Sequence, residues 1–131
     1  MKQDSSRLRQ PLKVARGLGS AKTGTDHFSI QRITAIALVP LALYLLYLLV
    51  GGVLGDYANA RQVVGSPLNA TLLIAFVVAM FWHAQLGIQV VIEDYVHTKG
   101  AAVFLQLATR FVCIIAAIAS VLAILRIALG A

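Results

Sequence analysis

The sequence predicts an all-α integral membrane protein with three transmembrane helices. Of its 131 residues, 60% are hydrophobic and only 12% are charged, whereas about a quarter of the residues in a soluble domain carry charge. Three apolar segments, at about residues 30–54, 68–92 and 101–129, reach the length of about 20 residues that spans a bilayer. Since three helices enclose little interior, we expect most intramembrane polar groups to face a partner chain.

The chain divides into a basic tail, residues 1–25, which we expect to be flexible, and a transmembrane anchor domain, residues 26–131. The tail holds six of the eleven Lys and Arg residues behind the net charge of +6. Basic residues accumulate on the cytoplasmic side of a membrane and attract anionic headgroups, so this charge indicates topology and lipid contact rather than nucleic-acid binding. It predicts a cytoplasmic N-terminus and, after three spans, a periplasmic C-terminus.

The first helix is predicted to begin at Thr25-Asp26-His27-Phe28-Ser29, because Thr, Asp and Ser side chains cap the free N–H groups of a first turn. Pro40 lies inside this span, where its missing N–H predicts a modest kink. Glycines at positions 51, 52 and 55 close the span, and residues 55–67 form a short polar outer loop.

The second helix is predicted to begin at Ser66-Pro67 and to run to about Ile92, with residues 93–100 as the inner turn. The third segment, at 29 residues, is longer than a perpendicular span requires, which indicates a tilt or an interfacial first turn. Cys113 lies within it as the one cysteine of the chain, so we expect a small buried hydrophobic residue rather than a disulfide.

His83 is the one histidine inside a predicted span, a position that is expensive for an ionisable group and marks a candidate functional site. Three interpretations remain open: a neutral histidine that hydrogen-bonds across helices, a proton-relay group of a transporter, and an axial ligand to a haem. Gly87, one turn further on, admits either a flat macrocycle or ordinary helix packing. Because His27 and His97 lie at the membrane edge, a bis-histidine haem would need its second ligand from another subunit.

Other polar residues of the spans have both structural and functional interpretations. Tyr95 suits the aromatic belt of the interface, or it donates to a quinone carbonyl while Asp94 handles protons. Arg32 either snorkels to water or pairs with a haem propionate, and His27 lies close enough in sequence to assist it. Gln85 and Gln89 form a polar stripe that we expect to bond to a neighbouring helix. An alternative function is therefore a small transporter or channel subunit with an intramembrane His and Gln pathway.

Two motifs resemble a known family. The pattern His83-Ala84-x-x-Gly87, continuing to Glu93-Asp94-Tyr95-Val96-His97, is similar to the hydrophobic membrane-anchor subunit of succinate dehydrogenase, the D-type small anchor of respiratory complex II. Arg32-Ile33-Thr34-Ala35-Ile36, which opens the first span, shares the resemblance, and together the match covers most of residues 26–129. The sister C-type anchor carries a Ser-x-x-His-Arg-x-Thr-Gly signature, from which Gln31 and Ala35 depart.

The resemblance implies that His83 is an axial ligand to the iron of a haem b shared with the sister anchor. It implies that Asp94 and Tyr95 help to form a ubiquinone site, and that Arg32 lies near the haem propionates, with His27 five residues earlier. The expected partners are the C-type cytochrome b anchor, an iron–sulfur subunit, a flavoprotein subunit, membrane lipid and ubiquinone, and no nucleic acid.

In that setting the chain binds no dicarboxylate, supplies no catalytic residue and is not catalytic alone. The resemblance implies that it is part of a succinate–ubiquinone oxidoreductase of the tricarboxylic acid cycle and respiratory chain. We expect a multi-pass protein of a bacterial inner membrane, a location that the short tail favours over the mitochondrial inner membrane.

Overall fold

The computed structural model describes residues 24–53 and 55–130, and these form helices without any strand. The elements are α1 (Gly24–Leu48), a π-helical segment (Leu49–Val53), α2 (Tyr57–Gly65), α3 (Pro67–Tyr95) and α4 (Lys99–Ala128). Three helical stretches are long and apolar enough to cross a membrane: Asp26–Gly51, Pro67–Tyr95 and Lys99–Ala128. The predicted fold class is confirmed. The predicted tail lies outside the described residues except for its last two, which already belong to α1.

Helix α3 is the centre of the bundle, with α1 packed along one side and α4 along the other. The short α2 closes the end opposite the inner turn, where Gly65 lies against the backbone of α4. Among the described residues, only five hydrophobic side chains are buried: Leu48, Ala70, Leu86, Ile92 and Cys113. Cys113 is therefore buried as predicted. The interior is sparse because lipid tails and partner chains, rather than the protein itself, cover most apolar side chains of such a bundle.

Helix α2 was not predicted, since residues 55–67 read as a polar loop. Its sequence, Tyr57–Gly65, has no proline or glycine before its last residue, and Asp56 precedes it in an extended conformation (φ −154°, ψ 141°). Nine residues are too few for a stable isolated helix, so contacts with the π-helical segment, α3 and α4 stabilise it. Such contacts are invisible in local sequence patterns.

The boundary of the second span was also predicted wrongly. Helix α3 continues past Ile92 to Tyr95, where the Val96 N–H donates to the Ile92 carbonyl at 2.9 Å, and only residues 96–98 connect it to α4. Residues 93–99 contain neither Gly nor Pro, and their polarity alone did not end the helix at Ile92. Its start was predicted correctly, because Pro67 occupies the first turn, where its missing N–H costs nothing.

One polar network joins three elements at the end of the bundle near α2. The Tyr44 hydroxyl of α1 donates to Asn69 Oδ1 of α3 at 2.6 Å, and Asn69 Nδ2 donates to the Val63 carbonyl of α2 at 2.7 Å. All three residues are half-buried. Asn69 therefore uses both ends of its amide to hold α1 and α2 to the central helix.

We expect Asn69→Leu to destabilise the assembled protein by about 1 kcal/mol, because intramembrane hydrogen bonds are each worth roughly 0.6 kcal/mol and two are lost. The measurement is the midpoint of thermal unfolding of the detergent-purified complex. Gln62→Leu, at an exposed position on α2, is the control. Equal midpoints for the two variants would contradict the structural role of Asn69.

Candidate functional site

His83 lies near the middle of α3 and is hydrogen-bonded to α1. Its Nδ1 atom is 3.1 Å from Oγ1 of Thr34, and the imidazole is half-buried. The same Oγ1 lies 2.8 Å from the Ile30 carbonyl and 3.0 Å from the Gln31 carbonyl, both one turn earlier on α1. Three possible partners thus surround one hydroxyl.

The hydrogen-bonding capacity of Thr34 favours one tautomer of His83. A hydroxyl has one hydrogen and two lone pairs. If that hydrogen goes to a backbone carbonyl, a proton on Nδ1 of His83 completes a second hydrogen bond to Oγ1. If the hydroxyl donates to the ring instead, only one bond forms, and the difference is about 1 kcal/mol. The arrangement therefore favours a proton on Nδ1 and a free lone pair on Nε2.

The Nε2 atom of His83 is available at the surface of the chain. It hydrogen-bonds none of the described residues, and among these residues no buried side-chain nitrogen or oxygen lacks a partner. An unpartnered Nε2 must therefore be accessible from outside the chain. Near the middle of a span, the neighbours available to it are lipid, another subunit or a bound group.

Gly87 lies one turn from His83, towards the inner turn, and faces α1. A Cβ atom built at Gly87 would be 3.7 Å from Nε2 of Gln31, which is ordinary van der Waals contact. The neighbour of this glycine is thus a side chain of the same protein. A Cβ atom would fit at this position, so the packing of α1 against α3 does not itself require glycine here, and both predicted roles of Gly87 stay predictions.

A groove of about 540 Å³ lies beside these contacts, between α1 and α3. Its walls combine polar and apolar side chains at helical spacing on both helices: His27, Phe28, Gln31, Leu86, Gln89, Val90 and Glu93. The groove joins the predicted candidate His27 to the inner end of α3. Glu93 is the acidic residue that lines the groove. Its neighbours Asp94 and Tyr95, which were predicted as site residues, do not line it.

Glu93 also connects α3 to α4. Its Oε1 accepts from Gln89 Nε2 at 2.8 Å within α3, and from Gln106 Nε2 of α4 at 3.3 Å. The prediction that Gln89 bonds to a neighbouring helix is wrong for the helices of this chain, because its amide donates to Glu93, one turn away on the same helix. Gln106, which the sequence did not single out, makes the contact between helices.

Asp94 and Tyr95 end α3 at the inner turn. Both are exposed, and 12 residues separate Tyr95 from His83, a rise of roughly 18 Å along the helix axis. The two groups therefore mark different depths of the membrane on one helix. A phenol and a carboxylate at this end of the bundle are accessible to a ligand or a partner from outside the chain.

Arg32 and His27 lie near the start of α1, at the same end of the bundle as Tyr95. The Arg32 guanidinium lies over the Phe28 ring, 4.8 Å from its centroid, and its side chain is exposed. Arg32 precedes Thr34 by two residues, a rotation of about 200° around the helix, and it makes no hydrogen bond to His83 among the described residues. The structure thus brings Thr34, and not Arg32, to the histidine.

Comparison with known proteins identifies the family. Residues 6–123 match the family described as "Succinate dehydrogenase/Fumarate reductase transmembrane subunit". The chain belongs to this family.

Its relatives within the succinate dehydrogenase/fumarate reductase transmembrane family include two proteins named "Succinate dehydrogenase hydrophobic membrane anchor subunit". The protein of Rickettsia bellii is 35% identical over 117 residues, which cover 89% of this chain and 94% of the relative. The protein of Paracoccus denitrificans is 30% identical over 123 residues, covering 92% and 93%. A "Succinate dehydrogenase membrane anchor subunit" of Reclinomonas americana is 34% identical over 91 residues, covering 64% and 75%.

These matches confirm the resemblance to the hydrophobic membrane anchor of succinate dehydrogenase. The function that they support for the chain is that of a membrane-anchor subunit in an oxidoreductase complex. The sequence did not identify Thr34 as a candidate site residue, although the structure places its hydroxyl beside His83. Thr34 was noted only as part of the motif that begins at Arg32. Gln31 and Thr34 are three residues apart, so helical spacing could have placed them on one face, but the register of α1 against α3 was needed to pair Thr34 with His83.

Proposed function

We propose that this chain is the D-type anchor of a succinate:ubiquinone oxidoreductase in a bacterial inner membrane, where it co-ligates a haem b and forms part of the ubiquinone site. The observation that carries the proposal is the hydrogen bonding of the two ring nitrogens of His83. Its Nδ1 is engaged by Thr34 of the same chain at 3.1 Å, while Nε2 has no partner among the described residues. Metal-ligating histidines characteristically donate their second ring N–H in this way, which orients the ring and fixes the tautomer.

The residues of the chain fit a haem held between two subunits. No group of three His, Cys, Asp or Glu side chains that could bind a metal ion occurs within the described residues. His83 would supply one ligand to the haem iron, and a second ligand would come from the C-type anchor. Arg32, an exposed cation nearer the inner end of α1, would pair with a propionate, and His27 lies five residues before it. A haem b held there supplies a one-electron redox centre inside the membrane.

Tyr95 and Asp94 serve the ubiquinone site in this proposal. The Tyr95 hydroxyl donates a hydrogen bond to a quinone carbonyl oxygen, which polarises it as electrons arrive. Reduction of the quinone to the quinol takes two electrons and two protons. Asp94, adjacent and exposed at the aqueous end of α3, relays protons from the inner phase to the quinone oxygens.

The direction of the chain in the membrane follows from its charge. If the basic N-terminal tail and Lys99 lie on the cytoplasmic side, then Arg61 is the one loop cation on the periplasmic side. Tyr95 then faces the cytoplasm, the side on which the iron–sulfur and flavoprotein subunits reduce quinone with electrons from succinate. The C-terminus lies in the periplasm.

Co-purification through an affinity tag on the N-terminal tail tests the proposed function. We expect the detergent-solubilised chain to bring with it the sister anchor and the two soluble subunits, and the preparation to reduce quinone with succinate. Its reduced-minus-oxidised absorbance spectrum should contain b-type bands. A colourless homo-oligomer that carries out gradient-driven flux would contradict the proposal and support a transporter that uses His83, Gln85 and Gln89.

A further inference from the structure

We propose that Thr34 is a positioning residue for the haem, which acts through His83 and sets both the tautomer and the electron donation of that ligand. This inference rests on the proposed function, since it concerns the role of His83 as an axial ligand. It adds a third residue of α1, after Arg32 and His27, to the proposed redox site. It also assigns a definite direction to the effect of that residue on the haem potential.

The geometry around Thr34 forms a chain of two hydrogen bonds that starts at His83. Nδ1 of His83 lies 3.1 Å from Thr34 Oγ1, to which its N–H donates in the proposed tautomer, and the Thr34 hydroxyl donates to the Ile30 carbonyl at 2.8 Å. The Gln31 carbonyl, at 3.0 Å, is an alternative acceptor on the same turn. Because two backbone carbonyls compete for its single hydrogen, the hydroxyl keeps a lone pair directed at the imidazole.

Helix packing holds this contact in place. Thr34 is a β-branched residue with restricted side-chain torsion in a helix, and its hydroxyl is tied to its own backbone. The two helices make a second contact one turn away, where Gly87 of α3 lies beside Gln31 of α1. The Thr34–His83 and Gln31–Gly87 contacts together fix the position of α1 along α3. The imidazole ring plane is thereby set within the chain, without help from the partner that supplies the second ligand.

The hydrogen bond determines how strongly His83 donates to iron. Donation from Nδ1–H draws the proton towards Oγ1 and gives the ring partial imidazolate character, which makes Nε2 a stronger ligand for ferric iron. The second hydrogen bond, from Thr34 to the carbonyl, polarises the first and strengthens it. Thr34 therefore stabilises the oxidised haem relative to the reduced haem and lowers its potential.

The test compares Thr34→Val with Thr34→Ser in the purified complex. Valine keeps the shape and removes the hydroxyl, whereas serine keeps the hydroxyl and removes a methyl group. Thr71→Val is the matched control, because Thr71 makes the same bond to the carbonyl four residues earlier, 2.8 Å to Pro67, without touching His83. The readouts are the midpoint potential from a redox titration of the b-type bands, and the haem content per flavoprotein.

The expected result is a higher midpoint potential in Thr34→Val, with the wild-type potential in Thr34→Ser and Thr71→Val. Loss of haem from Thr34→Val alone, with a normal Thr34→Ser, also supports the proposal, because the hydroxyl is then what retains the ligand. An unchanged potential in Thr34→Val, or an equal change in Thr34→Ser, would overturn it, since the hydroxyl would then have no effect distinct from that of the side-chain volume.

A separate measurement distinguishes this inference from failure of the proposed function. The chain has three histidines, so ¹⁵N-histidine incorporated into this subunit gives few ring signals, and the His83 signal is assigned by its loss in His83→Asn. If the wild-type assembly contains no b-type haem, the proposed haem role fails, but the tautomer can still be read. If His83 carries its proton on Nδ1 in the wild type, and Thr34→Val no longer favours that tautomer, the assigned hydrogen bond is supported. If the wild-type proton is on Nε2, the assignment is overturned.

Discussion

Replacing His83 with alanine is expected to remove the low-spin b-type signal from the reduced-minus-oxidised absorbance spectrum of the purified complex. Within the described residues, His83 is the one histidine near the middle of a membrane span, because His27 lies in the first turn of α1 and His97 in the inner turn. Without it, no imidazole of this chain is available at mid-membrane, and the haem keeps one axial ligand at most. The signal should therefore disappear or become high-spin, and it is measured per flavoprotein to correct for yield.

Two further variants separate loss of the ligand from loss of helix packing. His97→Ala removes an exposed imidazole at the inner turn and should leave the spectrum unchanged. His83→Asn replaces the imidazole that would bind iron with an amide. The amide N–H near Thr34 preserves a polar contact between α1 and α3. We expect His83→Asn to lose the signal as His83→Ala does. A full low-spin signal in either His83 variant would exclude this residue as a ligand.

The sequence was sufficient to predict the elements that depend on composition and local chemistry. Apolar length predicted the spans, and Ser66-Pro67 predicted the start of α3 because proline is favoured in a first helical turn. His83 could be singled out because an ionisable side chain in the bilayer requires a reason. Each of these inferences uses a residue and its near neighbours along the chain.

The predictions failed where contacts between helices determine the secondary structure or the pairing of side chains. Residues 57–65 form a helix because the bundle end packs against them, and the inner turn shortened to residues 96–98 because α3 extends through its polar last turn. The pairs Thr34 with His83 and Gln106 with Glu93 join helices whose relative register no local pattern encodes. Thr34 therefore emerged from the structure, although it is adjacent to residues that had drawn attention for their charge.

Replacing Tyr95 with phenylalanine is expected to lower succinate:quinone reductase activity about 10- to 100-fold while leaving artificial-dye reduction unchanged. A hydrogen bond to a group that becomes charged is worth about 1.5–3 kcal/mol, and each 1.4 kcal/mol changes a rate about tenfold. The aromatic ring remains, so packing at the end of α3 is preserved and only the hydroxyl donor is lost. Dye reduction needs only the soluble subunits and reports that electrons still enter from succinate.

The matched control for this prediction is Tyr57→Phe. Tyr57 of α2 is 80% exposed and Tyr95 of α3 is 78% exposed, so the two substitutions remove the same hydroxyl from equally accessible rings at opposite ends of the bundle. If the loss reflects hydrogen bonding to quinone at the inner end, only Tyr95→Phe slows quinone reduction, and it does so at saturating quinone as well as at low concentration. Equal loss of dye and quinone activity in Tyr95→Phe would instead mean that the substitution disturbs attachment of the soluble subunits, because an effect confined to the quinone site cannot reach the dye.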